Sequence, residues 1–159
     1  MSYRMNRRRV LVMLLGLALT AGSTSAQSTR AAAKKPHLLV YKSPTCGCCA
    51  KWVEHVNAAG FTSETTNLPD VSPIKTKHGV PAQLASCHTS LVDGYVIEGH
   101  VPAEDIRRLL RDRPAIVGLA APGMPAGSPG MDVPNSPPYQ VLSFDKQGRT
   151  AVFATHTPR

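Results

Sequence analysis

Aromatic side chains are scarce in this chain, at 5% of 159 residues, and acids are outnumbered, 10 against 18 bases. Beyond the first twenty residues no apolar run approaches the roughly 20 residues that a membrane-spanning helix needs. No basic run interleaved with aromatics occurs after residue 26, so no nucleic-acid partner is expected. A glycine-rich phosphate loop, a His-Glu-x-x-His helix and a Gly-x-Ser-x-Gly elbow are all missing, which removes the usual support for a hydrolase. There is no internal repeat. Methionine is nearly absent past the N-terminal stretch, where only Met124 and Met131 occur. Cysteine is rare too, but three of the four cysteines stand together as Cys46-Gly47-Cys48-Cys49, and the fourth is Cys87.

The N-terminal stretch has a plan of its own. Arg4, Arg7, Arg8 and Arg9 come with no acid, Val10–Leu19 is apolar, and Thr24-Ser25-Ala26 fits a small-x-small cleavage site. This is the layout of a secretory signal peptide over residues 1–26, too short in its apolar part to span a bilayer. Arg7-Arg8-Arg9-Val10-Leu11 also weakly resembles a twin-arginine signal. Removal of the segment leaves 14 bases (18 less four) against 10 acids, a mild excess. It also leaves enough chain for one domain with a core. Export to the periplasm with no stable membrane span is therefore expected. Four cysteines in an oxidising compartment ordinarily predict two disulfides, in any of three pairings, and that reading stays open.

Residues 27–36 form a polar tether, and 37–159 a single domain. Leu38–Tyr41 reads as a buried strand, broken by Ser43-Pro44-Thr45. Cys49, Trp52, Val53, Val56 and Ala59 recur at helical spacing until Gly60. Phe61–Leu68 reads as a strand, and 71–85 as helical turns interrupted at Gly79-Val80-Pro81. His88–Val92 and Tyr95–Glu98 flank Asp93-Gly94, a strong two-residue hairpin signal. Pro102 opens a helix with Glu104 and Asp105 in its first turn. Ile106, Leu109 and Leu110 form its buried stripe, and arginines face solvent toward its end. The order strand, helix, strand, helix, hairpin, helix predicts an α/β, thioredoxin-like fold. Residues 118–138, rich in glycine and proline, are expected to be an irregular loop. Tyr139–Phe144 and Thr150–His156 are expected to form an added C-terminal β-hairpin.

The cysteine cluster falls directly after a strand and before a helix. A helix N-terminus presents unpaired N–H groups and partial positive charge, which favour thiolate over thiol. Cys46 and Cys49 make a Cys-x-x-Cys pair, which also supports a rival reading. There the protein is a thiol–disulfide oxidoreductase, with Cys46 attacking and Cys49 resolving. Cys48 does not fit that reading, because a third sulfur would scramble the disulfide. Converging thiolates repel unless a cation neutralises them. One tetrahedral zinc normally takes well-separated cysteine pairs. Cu(I) is soft, selects thiolates and thioethers, and is suited to bridging sulfurs that hold more than one ion. Cys87 joins such a site if the hairpin begins near His88. If the strand begins at Pro81 instead, Cys87 lies roughly 17 Å further along and cannot.

His88 and the thioethers of Met124 and Met131 are secondary ligand candidates. His100, in Gly99-His100-Val101-Pro102, reads as a capping or supporting residue. His37, His55, His78 and His156 read as solvated, and Trp52 as core.

Four ordered segments carry a resemblance. They are Tyr41–Cys49, Ser86-Cys87-His88-Thr89, Gly94–Ala103 and Gly123–Met131. Together they resemble the CopG-type family of periplasmic metal-binding proteins, from about residue 37 onward. The resemblance implies a thioredoxin-like fold and a thiolate-bridged copper cluster on Cys46, Cys48, Cys49 and Cys87, with a role in copper resistance. The expectation is thus a periplasmic protein holding Cu(I), more than one ion per chain, by sequestration or redox conversion. Its partners would be copper ions and other periplasmic copper-handling proteins, and a copper/thiol oxidoreductase activity is a further expectation.

Overall fold

The computed structural model describes residues 34–158. The signal peptide read at 1–26 and most of the tether at 27–36 lie outside the described residues. Among them no helix is long and apolar enough to cross a membrane.

The chain folds as a mixed α/β structure. Its strands are β1 (His37–Lys42), β2 (Thr62–Asn67), β3 (His88–Val92), β4 (Tyr95–Gly99), β5 (Gly118–Ala121), β6 (Tyr139–Phe144) and β7 (Thr150–His156). Its helices are α1 (Gly47–Ala58), α2 (Ser72–Lys77) and α3 (Ala103–Asp112), with a short 3-10 turn at Ala82–Leu84. The seven strands form one sheet in the order β2-β1-β3-β4-β5-β6-β7. β1 runs parallel to β2, and β4 parallel to β5; the other neighbours are antiparallel.

Alternation in β1 sets the sheet's two faces. Leu38 and Val40 are buried while His37 and Leu39 are exposed. One face packs Leu38, Val40, Val92, Ile97, Leu119 and Val141 against Trp52 and Val56 of α1 and Ile106 and Leu109 of α3. A smaller cluster, Leu84, Val96, Ala120 and Phe144, fills the other face. Trp52 is fully buried, and its indole N–H donates to the Val101 carbonyl at 2.9 Å, tying α1 to the entrance of α3. This satisfies the one polar atom of an otherwise apolar ring.

The turn between β3 and β4 has Asp93 at φ 47° and Gly94 at φ 87°. Two positive φ values in succession match the twist of a tight hairpin, which is why Asp-Gly suits the position. The register pairs Val92 with Tyr95 and Thr89 with Glu98.

The segment 118–138 is not irregular throughout, as its glycines and prolines led us to expect. It opens with β5, all four residues of which are buried between β4 and β6. Gly-Leu-Ala-Ala shows no alternation because both of its faces are covered, and it holds no β-branched residue. β5 also joins the last two strands to the main sheet. The loop proper runs over 122–138 and returns to the N-terminus of α1. There Gly130, at φ +84°, lies so close that a Cβ would stand 2.7 Å from the Cys48 carbonyl oxygen.

Candidate metal centre

The strand-to-helix junction after β1 sets out three of the sulfurs. Cys46 is the residue capping α1, in extended conformation, and its carbonyl already accepts the Ala50 N–H. Cys48 and Cys49 occupy the first turn. Cys49 lies on the buried stripe with Trp52 and Val56, whereas Cys48 is half-buried. Cys46 and Cys49 are joined as a disulfide with a Cα–Cα separation of 5.4 Å. The Cys48 sulfur is 3.5 Å from that of Cys46. Cys48 and Cys87 are both free, so the reading with two disulfides does not hold.

Cys87 precedes β3, which begins at His88 rather than at Pro81. Its position is held from beneath by Glu98, which accepts the Ser86 N–H at 2.6 Å. The Ser86 hydroxyl donates to the Gly123 carbonyl, fixing the same segment to the loop. As a result the sulfurs of Cys46, Cys48, Cys49 and Cys87 all lie within 4.8 Å of one another. Burial, reinforced by the nearby Cys48 sulfur, pushes the Cys87 thiol up to about 11. A soft cation among these sulfurs would reverse that cost, since it favours the thiolate.

Two imidazoles border Cys87. The Nδ1 of His88 lies 3.4 Å from its sulfur and the Nε2 of His100 lies 3.0 Å away. The three residues' ligand atoms also fall within 4.8 Å of one another. His88 is fully buried between the rings of Trp52, at 4.5 Å, and His100, at 5.1 Å. Among the described residues its Nε2 has no partner. Burial, with the cations of Lys75 and Lys42 and the His100 ring, holds His88 well below its ordinary value. Burial lowers His100 as well. The Nδ1 of His100 is 2.7 Å from the Pro129 carbonyl, which can only accept. In the neutral ring Nδ1 therefore carries the proton, and a lone pair on Nε2 faces Cys87. His100 is thus a ligand-capable group, where its position before a helix had suggested a cap. The hairpin register carries the signal: extending the Thr89–Glu98 pairing by two steps sets 87 opposite 100.

The remaining candidates are less central. Met124 follows Gly123, which bridges to Ser86, and is 52% exposed. Met131 follows Gly130, which abuts Cys48, and is half-buried. His55 and His156 are not simply solvated. His55 Nε2 accepts the Ala103 N–H at 3.1 Å, and His156 Nε2 is 2.6 Å from Asp105.

A family described as a protein of unknown function, DUF411, matches residues 84–131. No curated protein matches the chain. Form 2 of the copper resistance protein copG superposes with a TM-score of 0.74 at 41% identity, over 78% of this chain and 100% of that one. Form 1 gives 0.73 at 42% identity, over 79% and 100%.

Proposed function

The chain belongs to the family of the copper resistance protein CopG, and from that premise we propose that it is a periplasmic protein that binds Cu(I) through Cys46, Cys48, Cys49 and Cys87, more than one ion per chain, to limit copper toxicity. The observation that carries the reading is the convergence of four sulfurs within 4.8 Å. Thiolates at such separations suit bridging of soft monovalent ions, and thiolate ligands select Cu(I) over harder cations. The helix α1 N-terminus supplies further partial positive charge to the thiolates. A thioredoxin-like frame and the signal-like residues 1–26 complete the reading as an exported copper-handling protein, with copper and other periplasmic copper-binding proteins as its partners.

The Cys46–Cys49 disulfide favours the redox form of this function. Two thiolates and two Cu(II) ions balance against one disulfide and two Cu(I) ions, so the pair supplies both electrons and no proton is left over. An external thiol reductant then restores the dithiol. The same disulfide at a helix start supports a second reading, a protein thiol–disulfide oxidoreductase using Cys46 and Cys49.

Anaerobic Cu(I) titration of the reduced protein, with metal analysis, tests the proposal. The expected result is more than one copper per chain, with a clear loss in Cys87→Ser. A stoichiometric zinc load with no copper bound overturns it. Rapid insulin reduction by metal-free protein, abolished by Cys49→Ser and untouched by Cys87→Ser, would select the second reading.

A further inference from the structure

A cleft of about 320 Å³ opens beside the sulfur site, between the first turn of α3, the 127–132 segment and the end of β7. His55, Glu104, Asp132, Tyr139 and His156 line it, and no sulfur does. We propose that this cleft is a second metal site, which takes one Cu(II) or similar divalent transition cation on the Nδ1 of His156 and the carboxylate of Glu104.

The argument starts from the His156 ring. Its Nε2 lies 2.6 Å from Oδ2 of Asp105, a carboxylate whose residue is only 4% exposed. Asp105 accepts, so Nε2 carries a proton and Nδ1 is the ring nitrogen left to face the cleft. A buried carboxylate on the far nitrogen is the arrangement that orients ligating imidazoles and raises their basicity. The freed Nδ1 is 3.5 Å from Oε1 of Glu104. Among the described residues no hydrogen-bond donor reaches that Nδ1, so a cation, either the ring's own proton or a metal ion competing with it, is what can join Nδ1 to the Glu104 carboxylate at the mouth of the cleft. Tyr139 stacks on the His156 ring at 5.2 Å and 24°, holding its plane. Burial first, and then the negative charges of Asp105 and Glu104, push the Tyr139 hydroxyl up. Asp132 adds a further carboxylate to the wall and acts on His55.

The donor set decides the class of ion. Imidazole with carboxylate suits borderline divalent metals, and Cu(II) binds such sites most strongly of the first-row series, whereas Cu(I) selects sulfur. Pro129 lines the cleft, and its carbonyl accepts from His100 beside Cys87, so the two sites share one residue as their partition. The choice of copper rests on the proposed function; the site itself uses none of the cysteines.

The test uses reduced protein preloaded with Ag(I), a soft, redox-inert ion that caps the thiolates, and then Cu(II) followed by electron paramagnetic resonance. One equivalent of tetragonal Cu(II) with splitting from a single imidazole nitrogen is expected. Glu104→Gln should weaken binding about tenfold or more, and His156→Gln should abolish the nitrogen splitting. The Glu104 side chain is 71% exposed, so its variant keeps the fold and carries the test if His156→Gln does not. The exposed pair His37–Glu64, 3.8 Å apart, is the surface rival, and His37→Gln should change nothing. A Cu(II) signal that is absent, that ignores both cleft variants, or that vanishes with His37→Gln overturns the site. Failure of silver to load overturns the sulfur reading alone, and the response to His156→Gln and Glu104→Gln still decides the cleft.

Discussion

The Nε2 of His100 stands 3.0 Å from the sulfur of Cys87, its cross-strand neighbour two steps beyond the Thr89–Glu98 pair that ends the β3–β4 ladder. The far side of the ring is anchored on the Pro129 carbonyl. That anchor leaves a single neutral tautomer in which the thiol donates and the imidazole accepts. It also means that the loop, the hairpin and the sulfur site are held in one register by one ring.

Cys87 should therefore be a slow thiol in the metal-free disulfide form. Its pKa is pushed to about 11, first by burial and then by the Cys48 sulfur, from an ordinary value of 9.0. At pH 8 a shift of this size leaves roughly a hundredfold fewer thiolates than an unperturbed cysteine has. Timed alkylation with mass spectrometry should show Cys87 reacting correspondingly slowly, about tenfold faster for each pH unit gained up to the shifted value. Cys87 alkylating at the rate of a free thiol at pH 8 would remove this account of its burial.

The oxidised protein should hold two free thiols and no more. Cys46 and Cys49 are bonded while Cys48 and Cys87 are free. Alkylation in denaturant without reductant should label two cysteines per chain, and after reduction all four. Peptide mapping that finds Cys48 joined to Cys87 would restore the two-disulfide reading and leave no sulfur for a metal in the oxidised state.

Much of this centre is legible in local sequence. Cys46–Cys49 sits where an apolar strand meets a helical stripe, and Asp93-Gly94 sets the register that places 87 opposite 100. What escaped the sequence depends on partners far along the chain. The role of His156 depends on Asp105, and that of His55 on the Ala103 N–H, neither of which any local pattern marks. β5 escaped for another reason: its Gly-Leu-Ala-Ala is defined by what covers it, and burial on both faces erases the alternation that marks a strand.

Gly130 should resist replacement. Its φ of +84° is one that side chains rarely adopt, and a Cβ would meet the Cys48 carbonyl at 2.7 Å and the Trp52 backbone nitrogen at 2.9 Å. Neither neighbour is a flexible side-chain end, so the loop must lift. Gly130→Ala should lower stability in urea by about 1–3 kcal/mol. It should also loosen the Pro129 carbonyl from His100, so that Cys87 alkylates faster than in the parent. A variant as stable as the parent, with unchanged thiol kinetics, would show that this loop does not brace the site.

Lys75 and Glu98 give the sharpest test of what holds Cys87 in place. Glu98 is fully buried and lies 2.5 Å from the Lys75 ammonium, and it also accepts the Thr89 hydroxyl and the Ser86 N–H. Burial still outweighs these partners and raises its pKa above the ordinary 4.5. A raised folded-state value means the folded chain holds the proton more tightly than the unfolded one. That contribution is complete below about 4.5 and is lost as pH rises through the folded value. Glu98→Gln should therefore be most destabilising near pH 4, and the gap from the parent should narrow toward pH 7 in urea unfolding. Lys75→Met strands the carboxylate and should cost about 3–5 kcal/mol at neutral pH, the usual penalty for breaking a buried pair from one side. Lys75→Met combined with Glu98→Gln should recover part of that loss, because no buried charge is left unpaired. If the single and double variants prove equally unstable, the role of Lys75 lies in packing, and the charge pair is not what seats the Ser86–Cys87 segment.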